Sequence, residues 1–281
     1  MNSFIYHVTT LYLFTASDWH TTVLPVTLFA YFAATSSTLG RLAQALFWVW
    51  LHLLQFNVSN QLCTPEEDEH NKPYRPLAAR RITTGNTRIL RWALVPACAF
   101  MSIAYSVQVL YAGIALTAVS ATYNELGGGV AHWSMRGALV GLGYVSLQAG
   151  ATLIASADRT YFSPAVVRSL WVGWAMLSTT SHAQDFRDEE GDRLVGRQTL
   201  PLAYPTLSRT TFAASLSAWS VVLAFIWDID IVCASALAVL GTIVGLRFVL
   251  KKGPEEDQFS YVLYTVRPSL LCHVEANVTV S

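Results

Sequence analysis

Eight mostly apolar stretches, each near the length of a bilayer crossing, follow one another along the chain: 20–38, 42–62, 91–108, 110–125, 137–156, 165–184, 209–228 and 230–250. A helix needs about 20 apolar residues to span the hydrocarbon core. Only helices and closed barrels satisfy their backbone polar groups there. These runs are long and lack sustained two-residue alternation, which argues against a barrel. A ninth stretch near 259–276 is weaker, because it contains Arg267, Pro268 and Glu275. The segment before Asp18 is mixed and reads as an amphipathic lead-in at the interface. The expected fold is all-α: a polytopic membrane helix bundle of about eight or nine transmembrane helices, forming one domain over residues 1–281. Only 13% of the residues are charged, against about 25% in soluble domains.

The basic residues give the sidedness. Of eighteen Lys and Arg, fourteen fall in the connections after the second, fourth, sixth and eighth stretches, among them Lys72, Arg75, Arg136, Arg193 and Arg197. The positive-inside rule places those connections and the N-terminus in the cytosol. The expected location is therefore an internal multi-pass membrane, the endoplasmic reticulum, with a cytosolic mouth. The net charge is zero, so no global field favours nucleic acid. No feature indicates a protein partner. The four cysteines are far apart in sequence and form no CxxC pair, so neither a zinc site nor a disulfide framework is indicated. The seven histidines lack paired ligand spacing.

Two acidic clusters lie on the cytosolic side. In QDFRDEEGDRLVGRQTLP, Asp185, Asp188 and Asp192 stand at i, i+3 and i+7, which puts three carboxylates on one helical face. Such a face repels itself unless a cation sits between the groups, and Mg²⁺ takes oxygen ligands together with substrate phosphates. The bland alternative is a solvated helix end. An acid run at a helix C-terminus opposes the macrodipole, which counts against that alternative. In NQLCTPEEDEHNKPYRPLAARRIT, Asn60 and Asp68 lie eight residues apart, with Glu67 on a similar face. Pro65 predicts a kink or break at Thr64. Lys72 and Arg75 follow in a proline-punctuated turn. Carboxylates, Mg²⁺ and adjacent cations together suit a diphosphate. An ordinary cytosolic loop is the alternative here.

The two motifs resemble the aspartate-rich pair of the UbiA superfamily of intramembrane prenyltransferases. The resemblance covers most of the chain and implies a helix bundle around a central cavity. It implies metal ligands at Asn60, Glu67, Asp68, Asp185, Asp188 and Asp192, with Asp68, Asp185, Asp188 and Asp192 catalytic. Thr64 stands where the family has Asp, and Gln61 where it is often acidic; Glu66 or Glu67 would supply the missing charge. Lys72, Arg75 and Arg193 fall where basic residues of the family face diphosphate. The stretch YNELGGG, with Tyr123 and then Arg136, is similar to a further cytosolic-side loop, whose glycines either let backbone approach phosphate or form a flexible turn.

The family implies Mg²⁺-assisted loss of diphosphate from an isoprenoid, leaving an allylic cation. The departures at Gln61 and Thr64 resemble the fungal terpene-cyclase branch, which closes the chain on itself, here from farnesyl or geranylgeranyl diphosphate in secondary terpenoid metabolism. Transfer of the prenyl group to an aromatic or lipid acceptor is the alternative. A transporter is the rival from a different class. A cyclase pocket stabilises cations on aromatic faces, and Trp48, Trp50, Tyr105, Tyr144, Trp171 and Trp174 are candidates.

Overall fold

The computed structural model describes residues 3–265, and among these all regular structure is helical. The long helices are α1 (Ser3–Thr15), α2 (Leu24–Ala33), α3 (Leu39–Cys63), α5 (Thr84–Ile103), α6 (Val107–Asn124), α7 (Trp133–Ala155), α8 (Pro164–Thr180), α11 (Pro205–Ile226) and α12 (Ile231–Leu250). Short helices α4 (Pro65–Asn71), α9 (Asp185–Leu194) and α10 (Leu200–Ala203) lie between them, and residues 254–265 form α13. Each of the eight apolar stretches coincides with a helix. Three of the described helices, α7, α11 and α12, meet the length and hydropathy of a membrane crossing by themselves. The weaker ninth stretch is helical up to residue 265, and its remainder lies outside the described residues.

The lead-in differs from a simple surface helix. α1 buries Phe14 against Leu54 and Val58 of α3 and Leu94 of α5. A 3₁₀ turn at Ala16–Asp18 and a π turn at Trp19–Val23 then join it to α2. Breaks of this kind free side chains from the regular helical register and often mark functional sites.

α7 is the central helix, packed against α2, α3, α6 and α8. Its C-terminal half is mostly apolar: Leu147, Ala151, Leu153, Ile154 and Ala155 are buried with Trp48, Val49 and Leu53 of α3. Glycines let the neighbours approach. A Cβ on Gly137 would sit 2.5 Å from the Ser178 carbonyl of α8, and one on Gly150 would enter the Trp48 ring. Close approach at small residues is how helices gain contact in lipid, where no hydrophobic force drives them together. Side-chain caps from Ser106, Ser163 and Asp230 start α6, α8 and α12. They satisfy N–H groups that would otherwise end without partners.

Candidate active site

Both acidic motifs follow a helix break. α3 stops at Thr64 (φ −131°, ψ 56°), and Pro65 opens α4 with Glu66, Glu67 and Asp68 in its first turn. α8 ends at Thr180, a 3₁₀ turn covers Ser181–Gln184, and α9 starts at Asp185 with Asp188 also in its first turn. The expectation of an acid run opposing a helix C-terminus is thereby corrected. Glu66, Glu67, Asp68, Asp185 and Asp188 sit in first turns, where the dipole favours them, while Asp192 lies in the last turn of α9 and depends on Arg197. Asn71 clasps the two short helices: its Oδ1 accepts from Gly191 N at 3.2 Å, and its Nδ2 donates to the Asp188 carbonyl at 3.3 Å. A Cβ at Gly191 would collide with that amide.

Every acid of the site faces a cation. Lys72 Nζ lies 3.0 Å from Asp188, and Arg187 Nε lies 3.2 Å from the other Asp188 oxygen. Arg75 pairs with Asp68 at 2.8 Å and Arg136 with Asp185 at 2.7 Å. Arg197 bridges the motifs, 2.6 Å from Glu67 and 2.7 Å from Asp192. All of these side chains are buried except Arg187, which is nearly so. Burial pushes the Asp188 carboxyl up, but Lys72 and Arg187 outweigh it and hold it well below the usual carboxylate range. Burial dominates at Asp68 and Asp192, whose carboxyls are raised despite Arg75 and Arg136 respectively. It lifts Asp185 to about 7 against the pull of Arg136. Asp188 is thus the acid that this cluster holds most firmly as an anion.

The helices enclose a cavity of about 150 Å³ that is open at one mouth. One end is lined by Asn60, Glu67, Lys72, Arg75, Arg136, Asp188 and Arg197. Tyr123 stands beside that end. The apolar part of the wall is Leu53, Phe56, Leu116, Val140 and Leu147, and Tyr144 beside it bonds its hydroxyl to Thr22 Oγ1 at 2.9 Å. Asp68, Asp185 and Asp192 do not line it; each stands behind an arginine that does.

Several expectations are corrected. Arg193 is exposed and is not brought to the cavity. α9 ends at Leu194, and Gly196 (φ +69°) turns the chain back so that Arg197 N bonds Asp192 O at 2.9 Å. Arg197 therefore reaches in where Arg193 does not. Glu67 lines the cavity while Glu66 is exposed. Of the six proposed aromatics only Tyr144 lines it. Trp48 is buried in the core, Trp50 donates to Thr15, and Trp171 is 64% exposed. The triple glycine is a tight turn: Gly128 N and Gly129 N close on the Thr122 and Tyr123 carbonyls at 2.9 and 2.7 Å. Those N–H groups are committed to ending α6, not to phosphate. Sequence reading missed Asp18, Arg187, His52 and Tyr261, all of which line the cavity. A lone acid among apolar stretches was the available signal for Asp18, which accepts from Asn57 Nδ2 at 2.7 Å.

Among the described residues no three His, Cys, Asp or Glu side chains are grouped to hold a metal by themselves. Mg²⁺ does not require such a cage, because it keeps water and binds through one or two carboxylates plus substrate phosphates. Glu67 and Asp188, which line the cavity, fit that habit. Glu67 Oε2, Asp68 Oδ2 and Asp192 Oδ2 are buried and have no hydrogen-bond partner, a costly state for charged oxygens that a cation would relieve.

Residues 23–266 match the UbiA prenyltransferase family. The chain is 32% identical to the diterpene cyclase eriG of Hericium erinaceus, covering 90% of this chain and 82% of the relative. It is 28% identical to the polyprenyl transferase eriF of the same fungus, with 90% and 88% covered. The fold is similar to that of a UbiA homolog from Archaeoglobus fulgidus bound to GPP and Mg²⁺, with a TM-score of 0.70 at 13% identity and 97% and 99% covered. The family match over most of the chain and the relative at 32% identity show that this chain belongs to the UbiA prenyltransferase family of integral-membrane enzymes acting on prenyl diphosphates.

Proposed function

We propose that the protein is a Mg²⁺-dependent terpene cyclase. It ionises farnesyl or geranylgeranyl diphosphate and closes the resulting allylic cation on the chain's own double bonds, in secondary terpenoid metabolism. The observation that carries the reading is the mixed lining of the cavity, which sets charged and amide side chains from both acidic motifs beside hydrocarbon and aromatic walls. A diphosphate seats among Lys72, Arg75, Arg136 and Arg197, and the isoprenoid tail lies against Phe56, Leu116 and Leu147. The mouth opens on the cytosolic side of the endoplasmic reticulum membrane, and the whole chain acts as one domain.

Glu67 and Asp188, the two motif acids that line the cavity, would hold Mg²⁺ together with Asn60 and the substrate's own phosphates, and the ion when bound would neutralise charge on the leaving diphosphate. The chain's own cations share that task. As the C–O bond breaks, its electron pair leaves with the diphosphate, and Lys72 and the arginines stabilise the growing negative charge. Phe56, Tyr123 and Tyr144 face the cation and exclude water.

Closure is favoured over transfer by the higher identity to a cyclase (32%) than to a transferase (28%) and by the departures at Gln61 and Thr64. The test is diphosphate release from each prenyl diphosphate with Mg²⁺ and no acceptor, in membranes or nanodiscs. Release without acceptor supports cyclisation. Release that begins only when an aromatic or lipid acceptor is added replaces this reading with prenyl transfer.

A further inference from the structure

The central helix α7 carries four glycines, Gly137, Gly141, Gly143 and Gly150, and three of them serve packing. A Cβ on Gly137 or Gly141 would sit 2.5 or 2.6 Å from Ser178 of α8, and one on Gly150 would enter the Trp48 ring of α3. Gly143 is different. A Cβ there would meet only Val119 at 3.8 Å and Leu116 at 4.0 Å, which is ordinary apolar contact. A glycine inside a helix is destabilising relative to alanine, and no neighbouring helix demands this one.

Its position shows what the room serves. Arg136, Gly143 and Leu147 stand at i, i+7 and i+11, in one row along the helix. All three line the cavity. Arg136 belongs to the charged end, through its pair with Asp185 at 2.7 Å. Leu147 belongs to the apolar core, with Leu53 and Leu116. Seven residues of helix put Gly143 about 10 Å along α7 from the level of Arg136. The two side chains that its Cβ would meet, Leu116 and Val119 of α6, also line the cavity. The missing side chain therefore leaves a gap in the cavity wall, beyond the charged end. Tyr144, the next residue, does not fill it. Its hydroxyl donates to the Thr21 carbonyl at 3.1 Å and bonds Thr22 Oγ1 at 2.9 Å, which ties the ring to the segment before α2.

We infer that Gly143 sets the length of prenyl tail that the enzyme accepts, an assignment that rests on the cavity being the prenyl diphosphate site. With only hydrogen at this position, the distal isoprene units pass between α7 and the Leu116 and Val119 side chains of α6. A larger side chain occupies that space and closes the way to Leu53 and Leu147. A tail that ends before this level is indifferent to the change.

The experiment compares wild type, Gly143→Ala and Gly143→Leu in nanodiscs with Mg²⁺. Binding of geranyl, farnesyl and geranylgeranyl thiolodiphosphate, whose bridging sulfur resists ionisation, is measured alongside diphosphate release from the three corresponding substrates. In Gly143→Leu the affinity for the geranylgeranyl analogue should fall about tenfold or more relative to the geranyl analogue, with farnesyl between them. Release should follow the same order. Gly143→Ala should shift the same ratio in the same direction by less. A folded Gly143→Leu protein that weakens all three analogues equally, or none of them, overturns the assignment. If Gly143→Leu does not accumulate, an unchanged ratio in Gly143→Ala overturns it instead. A wild type that binds none of the three analogues contradicts the reading of the cavity itself, and this inference with it.

Discussion

Lys72 Nζ reaches Asp188 at 3.0 Å, joining two motifs 116 residues apart inside one buried cluster. A lysine is a compact point charge, so this pair leaves the other Asp188 oxygen to Arg187. The arrangement holds Asp188 anionic at the cavity wall, ready for a cation, and keeps Lys72 beside the place where diphosphate charge develops.

Asp188→Asn preserves size and removes the charge. Without it Lys72 and Arg187 lose their partner, and the cationic cluster reorganises away from the leaving group. The expected loss in diphosphate release is about 100-fold or more, with kcat affected more than KM. The check is steady-state kinetics on reconstituted protein, and a loss below about threefold contradicts the role.

Arg197 and Arg193 separate structure from proximity in sequence. Arg197→Met leaves Glu67 and Asp192 buried without their shared partner, which should cost about 3–5 kcal/mol. Arg193→Met alters an exposed side chain and should stay within about 0.5 kcal/mol. Thermal unfolding in detergent reads both. Equal effects would contradict the ion-pair geometry.

Gly150→Ala tests the packing under the cavity floor. The added methyl meets the Trp48 ring, and Trp48 in turn holds Ser102 by its Nε1 at 2.9 Å. Overpacking of this kind costs about 1–3 kcal/mol. The unfolding midpoint should fall accordingly, while Gly85→Ala, with open space around the glycine, should leave it within about 0.5 kcal/mol.

Much of this was legible from the residues. Apolar length located the eight helices, Pro65 announced the break at Thr64, and the spacing of Asp185, Asp188 and Asp192 put all three on the buried face of α9. What the sequence hides is depth and return. Trp48 and Phe56 lie eight residues apart on one side of α3, yet one is core and the other cavity wall, because the neighbouring helices decide which level is filled. Arg197 replaces Arg193 through one left-handed glycine, a turn that helical spacing cannot foresee. Asp18 enters the cavity through a local break in helical register, beyond what hydropathy resolves.

The most direct test of cyclisation is the product itself. Purified protein in nanodiscs is given farnesyl or geranylgeranyl diphosphate and Mg²⁺, with no acceptor, and the organic extract is read by mass spectrometry. The account predicts a cyclic hydrocarbon or alcohol from at least one substrate, absent in Asp188→Ala. Intact linear substrate, turned over only when an acceptor is added and then recovered as a prenylated acceptor, would contradict it.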